Sequence, residues 1–235
     1  MTPLAVPSAS LADQVAASIR AAVRAGTLQP GRLYSAYQMA DNLGVSRSPV
    51  REALMRLAEA GMVEFERNRG FRIVIPQPRD IAEVFHLRLL LEVPAARRVA
   101  AGATPELIGA LHAELREMSR AADEHDETLF MRHDRRLHDL ILGTAGNTRL
   151  LRLIDGLRDT TRYLGASTVG KSRTLQDIYA EHLPIVDAIV AADPAAAGRA
   201  MSAHVTHTGR LLVAQAATES ADGTDPDVLW AQLID

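Results

Sequence analysis

The 235-residue sequence contains no cysteine. No disulfide can form, no thiolate can serve as a nucleophile and no Cys-based zinc site can exist, so any bound metal must be held by histidine and carboxylate. Eight histidines bound that search. No apolar run approaches the roughly eighteen residues that mark a membrane-spanning helix. The opening MTPLAVPSAS also lacks the basic start and long apolar middle of a signal peptide. Together these absences predict a cytoplasmic protein with no membrane partner. What is present is a hydrophobic content of 47%, enough for real cores in one large or two smaller domains and too much for a disordered chain.

The net charge of −3 conceals an asymmetry. Up to Arg79, ten arginines stand against six acidic residues; beyond it, 16 basic residues stand against 23 acidic ones. A basic segment followed by an acidic one predicts two domains, the first suited to a polyanion.

Within the basic segment, residues 44–57 read GVSRSPVREALMRL. Val50, Ala53, Leu54 and Leu57 fall at i, i+3, i+4 and i+7, an apolar stripe on one face of a helix. Arg47, Ser48 and Arg51 project from the other side. Ser46 or Ser48 can cap the start, and Pro49 is tolerated because first-turn amides have no intrahelical partner to lose. Free amides, a positive dipole end and arginines suit phosphate oxygens and base edges.

Residues 1–9 read as a loose leader. Ser10 then caps a helix carrying Leu11, Val15, Ile19 and Val23 at fourfold spacing, which Gly26 ends. A Pro30-Gly31 turn, a short helix over 35–43 and the Gly44 break lead into the arginine-bearing helix, making a helix-turn-helix. MVEFE and FRIVI read as two strands around a basic tip, Arg67-Asn68-Arg69-Gly70. The predicted domain over 10–75 is a winged helix-turn-helix. Pro76 and Pro78 mark a linker over 76–79.

Beyond the linker six helices are expected, over 81–101, 105–122, 127–143, 148–164, 175–192 and 194–215. Thr104-Pro105 and Asp193-Pro194 each place a capping residue before proline at a first helical position. The second domain, over 80–216, is read as an all-α bundle, and the chain as mainly α. The acidic tail over 217–235 has Leu229, Trp230 and Leu233 available to dock a last turn.

Asp134 and His138 lie four apart and share a helix face with Phe130, Leu137 and Ile141 nearby, which suits two ligands of one ion. His182 and His204 sit on two further helices. Three histidines and one aspartate on a bundle's inner wall would leave coordination positions open. On spacing alone the alternative stands, that these are packing or surface residues. Arg88 and Glu92 are also spaced i, i+4, as an intrahelical ion pair would be. His86, His112, His125 and His133 read as surface residues, and His207 as part of a solvated face. Pro184 is expected to kink its helix or delay its start. A metalloenzyme with a DNA-binding appendage is the competing reading, but no extra general base is evident, because Glu181 beside His182 falls on another helix face.

The pattern IRAAVRAGTLQPGRL, followed by MADNLGVSRSPVREALMRLAEAGMVEFERNRGFRI, resembles the DNA-binding domain of the GntR family of bacterial transcription regulators. The resemblance implies DNA contacts from Ser46, Arg47, Ser48 and Arg51 on the recognition helix, and from the wing at Arg69 and Gly70. Tyr37 departs from the pattern, standing where several members have an arginine or another polar contact residue. The later pieces LRLLLEVPAARRVA, D-x-x-x-H at 134–138, AGN at 145–147, EHLPIVDAIVAADPAAA and AMSAHV resemble the FCD effector domain of the FadR subfamily. That resemblance implies a divalent ion, whether zinc, nickel or manganese, on Asp134, His138, His182 and His204. It further implies a small carboxylate effector met by Arg88, with Arg162 and Arg173 as further candidates. The function so implied is a ligand-responsive repressor, not an enzyme, binding double-stranded DNA as a homodimer.

Overall fold

The computed structural model describes residues 10–59, 61–67, 69–74, 77–163, 167–220 and 223–234, with the side chains of 24, 159, 160, 162 and 163 outside that description. The chain divides into two compact units, one built mainly from the residues up to Asp80 and the other from those beyond it.

The first unit opens with α1 (Leu11–Arg24), whose start is closed by a reciprocal pair: the Ser10 hydroxyl accepts from the Asp13 amide, and the Asp13 carboxylate accepts from the Ser10 amide. β1 (Leu33–Tyr34), α2 (Ala36–Leu43), α3 (Arg47–Glu59), β2 (Val63–Glu66) and β3 (Gly70–Ile73) follow. Ser35 caps α2, and Gly44, in the left-handed region at φ 63°, ends it. The apolar stripe of α3 packs as its spacing requires, with Val50, Ala53, Leu54 and Leu57 fully buried. Each of the three larger side chains contributes about 1.5–3 kcal/mol of burial free energy. They meet Ile19 of α1 and Phe71 and Ile73 of β3 in one core.

The sheet is antiparallel in the order β1-β3-β2, with Val63 opposite Ile73 and Phe65 opposite Phe71. β1, which the sequence did not signal, pairs Leu33 with Arg72 and Tyr34 with Phe71. Two residues carry too little periodicity to announce a strand. Gly70 is fixed by this third strand: its φ is 132°, and a Cβ there would lie 2.0 Å from the Tyr34 carbonyl oxygen.

The second unit is helical, with α4 (Pro78–Ala100) from Ile81 on, α5 (Pro105–Asp123), α6 (Glu127–Thr144), α7 (Leu150–Tyr163) as far as Leu157, α8 (Leu175–Val190), α9 (Pro194–Ser220) and α10 (Pro226–Leu233). Within the expected 76–79 linker, Pro78 is the first residue of α4, where its missing N–H costs nothing, and Pro76 lies outside the described residues. α8 runs unbroken through Pro184 from a Thr174–Asp177 capping box, so its start is not delayed. α5 packs on α6 and α8, α8 on α9, and α10 on α9. The tail is more ordered than a last turn, since α10 drives Trp230 fully into the core beside Gly209. No helix among the described residues is long and apolar enough to cross a membrane.

Candidate metal centre and candidate nucleic-acid interface

Three helices of the bundle bring His138 (α6), His182 (α8) and His204 (α9) together, all buried. One ligand atom from each lies within 4.8 Å of the others. The Nε2 atoms of His138 and His182 are 3.2 Å apart, and Asp134 Oδ1 lies 3.1 Å from Nε2 of His182. Ligands about 2.0–2.1 Å from one ion lie roughly 3.0–3.4 Å from each other, so these separations fit a shared cation. The rings of His182 and His204 are 4.3 Å apart between centroids.

Each imidazole is oriented from behind. Nδ1 of His138 lies 3.0 Å from Glu92 Oε2, Nδ1 of His182 lies 2.8 Å from the Ile178 carbonyl, and Nδ1 of His204 lies 2.9 Å from Glu181 Oε2. Those oxygens can only accept, so a proton on each Nδ1 satisfies all three contacts and is the tautomer that would leave each Nε2 lone pair available to a cation. Burial, then the nearness of His182, pushes the His204 imidazole down to about 4, so it is neutral at neutral pH. Burial pushes the Glu181 carboxyl up, but hydrogen bonds from His204 and Arg173 more than offset this and hold it at about 2. Three imidazoles converging on one point, with the Asp134 carboxylate beside them, form a donor set suited to a divalent ion.

Arg88 donates from Nε to Glu92 Oε1 at 2.7 Å, both side chains being buried. Its guanidinium carbon lies 4.8 Å above the Phe85 ring, and its terminal nitrogens have no hydrogen-bond partner among the described residues. The ion pair anticipated from i, i+4 spacing is therefore present, and it leaves the end of the guanidinium fork free. The Arg162 side chain lies outside the described residues. Arg173 is fully committed, with Nε to Thr168 Oγ1, Nη1 to Glu181 and Nη2 to Thr208 Oγ1.

One expectation needs correction. His133 is buried rather than superficial, its Nδ1 2.6 Å from Glu114 Oε2 on α5. Glu181, read as falling on a different helix face from His182, has a role that reading did not give it: it reaches across to α9 and bonds both His204 and His207. His207 is exposed as expected. Spacing gave no sign of Glu92 and Glu181 as the groups that orient His138 and His204 of the candidate site. Only contact between distant helices reveals them.

In the first unit, Ser46, Arg47, Ser48 and Arg51 are all exposed at or near the start of α3. That helix has no acidic residue in its first turn, as is also true of α2, α7 and α9. Arg47, Arg51 and Arg67 have no ion pair among the described residues, whereas Arg56 pairs with Asp13 and Arg72 with Glu66. Arg69 is exposed but pairs with Glu66 at 3.1 Å. Gly70 owes its identity first to the approach of Tyr34.

A three-stranded winged helix-turn-helix with exposed arginines, in one chain with a histidine-bearing helical bundle, defines the class: a DNA-binding transcription regulator. Comparison with known proteins agrees. Residues 11–73 match the model of bacterial regulatory proteins of the gntR family, and residues 83–207 match the FCD domain. The chain is 30% identical over 196 residues to the probable D-xylose utilization operon transcriptional repressor of Paenarthrobacter nicotinovorans, covering 83% of this chain and 86% of that protein. It is 28% identical over 183 residues to the HTH-type transcriptional regulator YdhC of Bacillus subtilis (strain 168), covering 77% and 82%. The solved structure of E. coli McbR/YncC shares the fold with a TM-score of 0.63 at 21% identity, covering 88% of this chain and 98% of that one. The chain belongs to the GntR family of transcription regulators, with an FCD domain after its winged helix. These are the domains of DNA-binding regulators and not of enzymes.

Proposed function

We propose that the protein is a cytoplasmic repressor that binds a two-fold operator as a homodimer and is controlled by a small carboxylate bound beside a divalent ion in the bundle. The observation that carries this reading is the chain Arg88–Glu92–His138, in which one buried carboxylate bonds both an arginine with free fork nitrogens and a histidine whose Nε2 faces the candidate ion site. Zinc, nickel or manganese suits the donor set of His138, His182, His204 and Asp134. Such an ion would offer open positions to carboxylate or hydroxyl oxygens. Arg88 would bind the acid's other end with its paired N–H groups.

In this reading α3 enters the major groove with Ser46, Arg47, Ser48 and Arg51, and the wing with Arg69 and Gly70 lies against the neighbouring groove. One winged helix contacts too few base pairs for useful specificity, which favours a dimer on half-sites about 34–36 Å apart. Leu87 and Leu90, exposed on α4, are apolar area that a second copy would cover. Control follows if the effector binds the DNA-free state more tightly than the DNA-competent one. The relative named as a repressor supports repression over activation.

The test is a screen of organic acids by thermal shift on the full-length protein, with and without each divalent ion. A ligand that binds the native state raises the melting temperature. The reading requires acids that stabilise only the metal-loaded protein and lose that effect in Arg88→Ala. Stabilisation that is indifferent to both metal and Arg88 would contradict it.

A further inference from the structure

Arg47 opens α3 and Tyr37 sits in the first turn of α2. The guanidinium carbon of Arg47 lies 4.1 Å from the centroid of the Tyr37 ring, above its face. The other arginine-over-ring contacts among the described residues are looser, at 4.8, 5.7 and 5.9 Å. Tyr37 is 57% exposed and Arg47 is exposed, so neither is placed by the core. Apart from this ring, Arg47 has no hydrogen bond or ion pair among the described residues.

We infer that Tyr37 is a positioning residue for DNA recognition, its ring holding Arg47 so that the edge of the guanidinium meets a base, with the O6 and N7 acceptors of guanine as the matching chemistry. The inference rests on the reading that α3 meets DNA. A guanidinium stacked on an aromatic face keeps all five donors in its plane free. A carboxylate at position 37 would hold Arg47 as firmly but would occupy the fork that a base needs. A second cation there would repel Arg47 and add a phosphate contact in its place. An exposed ring satisfies both conditions, restricting a side chain rich in rotamers without consuming its donors.

The test uses full-length protein, first selecting bound duplexes from a random-sequence library and then measuring affinities for the selected duplex and its single-base variants at several salt concentrations. The variants are Tyr37→Leu, Tyr37→Phe, Arg47→Ala and the Tyr37→Leu/Arg47→Ala double. Leucine keeps bulk and helix propensity without the ring, and unchanged melting temperatures establish that each variant folds.

Tyr37→Leu should reduce discrimination roughly two- to fivefold at the same base pair that Arg47→Ala affects, with the salt dependence unchanged. Tyr37→Phe should keep the wild-type preference, and the double variant should match Arg47→Ala alone. Full discrimination in Tyr37→Leu, loss of it in Tyr37→Phe, or additive effects in the double variant would each overturn the inference. If Arg47→Ala itself changes neither affinity nor preference, Arg47 makes no DNA contact and the inference is overturned. The assignment of α3 to DNA fails as well only if Arg51→Ala is equally silent, a result distinct from the others.

Discussion

Glu92 Oε2 lies 3.0 Å from Nδ1 of His138, joining α4 to α6 through two fully buried side chains. The other Glu92 oxygen accepts from Arg88, so the residue suited to an effector and a residue suited to a metal share one carboxylate. Neither half of the proposed site can then be altered without reaching the other.

Glu92→Gln should therefore weaken divalent-ion binding about 10- to 100-fold, the usual cost of losing a group that orients a ligating histidine. It should also leave Arg88 without its counter-charge and lower the melting temperature. Competition with a chromophoric chelator measures the first effect. An unchanged affinity would detach Glu92 from the site.

On the DNA side, Arg47→Ala and Arg51→Ala should each weaken binding to a selected duplex. A lost base contact costs about 1–3 kcal/mol and alters sequence preference. A lost phosphate contact lowers affinity evenly and reduces the salt slope by about one. Titrations at several salt concentrations separate the two, and unchanged affinity in both variants would remove α3 from the interface.

Gly70→Ala should destabilise the winged helix itself. The added methyl would lie 2.0 Å from the Tyr34 carbonyl oxygen at a φ of 132°. Backbone strain alone costs about 1–3 kcal/mol, and the collision adds to it. Chemical denaturation followed by circular dichroism should show a lower midpoint, and an unchanged midpoint would mean that β1 yields freely.

Gly209→Ala should disturb the packing of α10. A Cβ at Gly209 would lie 2.3 Å from the Trp230 ring and 2.8 Å from Phe85. Overpacking of this kind costs about 1–3 kcal/mol. Trp230 is the only tryptophan and is fully buried, so its emission should shift to the red as the ring is expelled. Unshifted emission would place the strain elsewhere.

What the sequence made legible was local. The stripe of Val50, Ala53, Leu54 and Leu57 announced α3 because a 3.6-residue period is written into neighbouring positions. Asp134 and His138 were legible as one face for the same reason. What stayed hidden depends on distant partners. His133 looked like a surface histidine because Glu114, on another helix, gives no signal near it. The contact of Glu181 with His204 stayed hidden because helix spacing says which way a residue leaves its own helix and nothing about how far it reaches toward α9. α10 was read as a docked turn because its burial rests on the space left by Gly209, seventeen positions before its first residue.

The most direct measurement is the metal content of purified full-length protein by elemental analysis, alongside His182→Ala and His204→Ala. The account predicts one divalent ion per chain, lost from both variants while their helical content persists. Protein that carries no ion after incubation with zinc, nickel or manganese, or variants that keep it, would contradict the account.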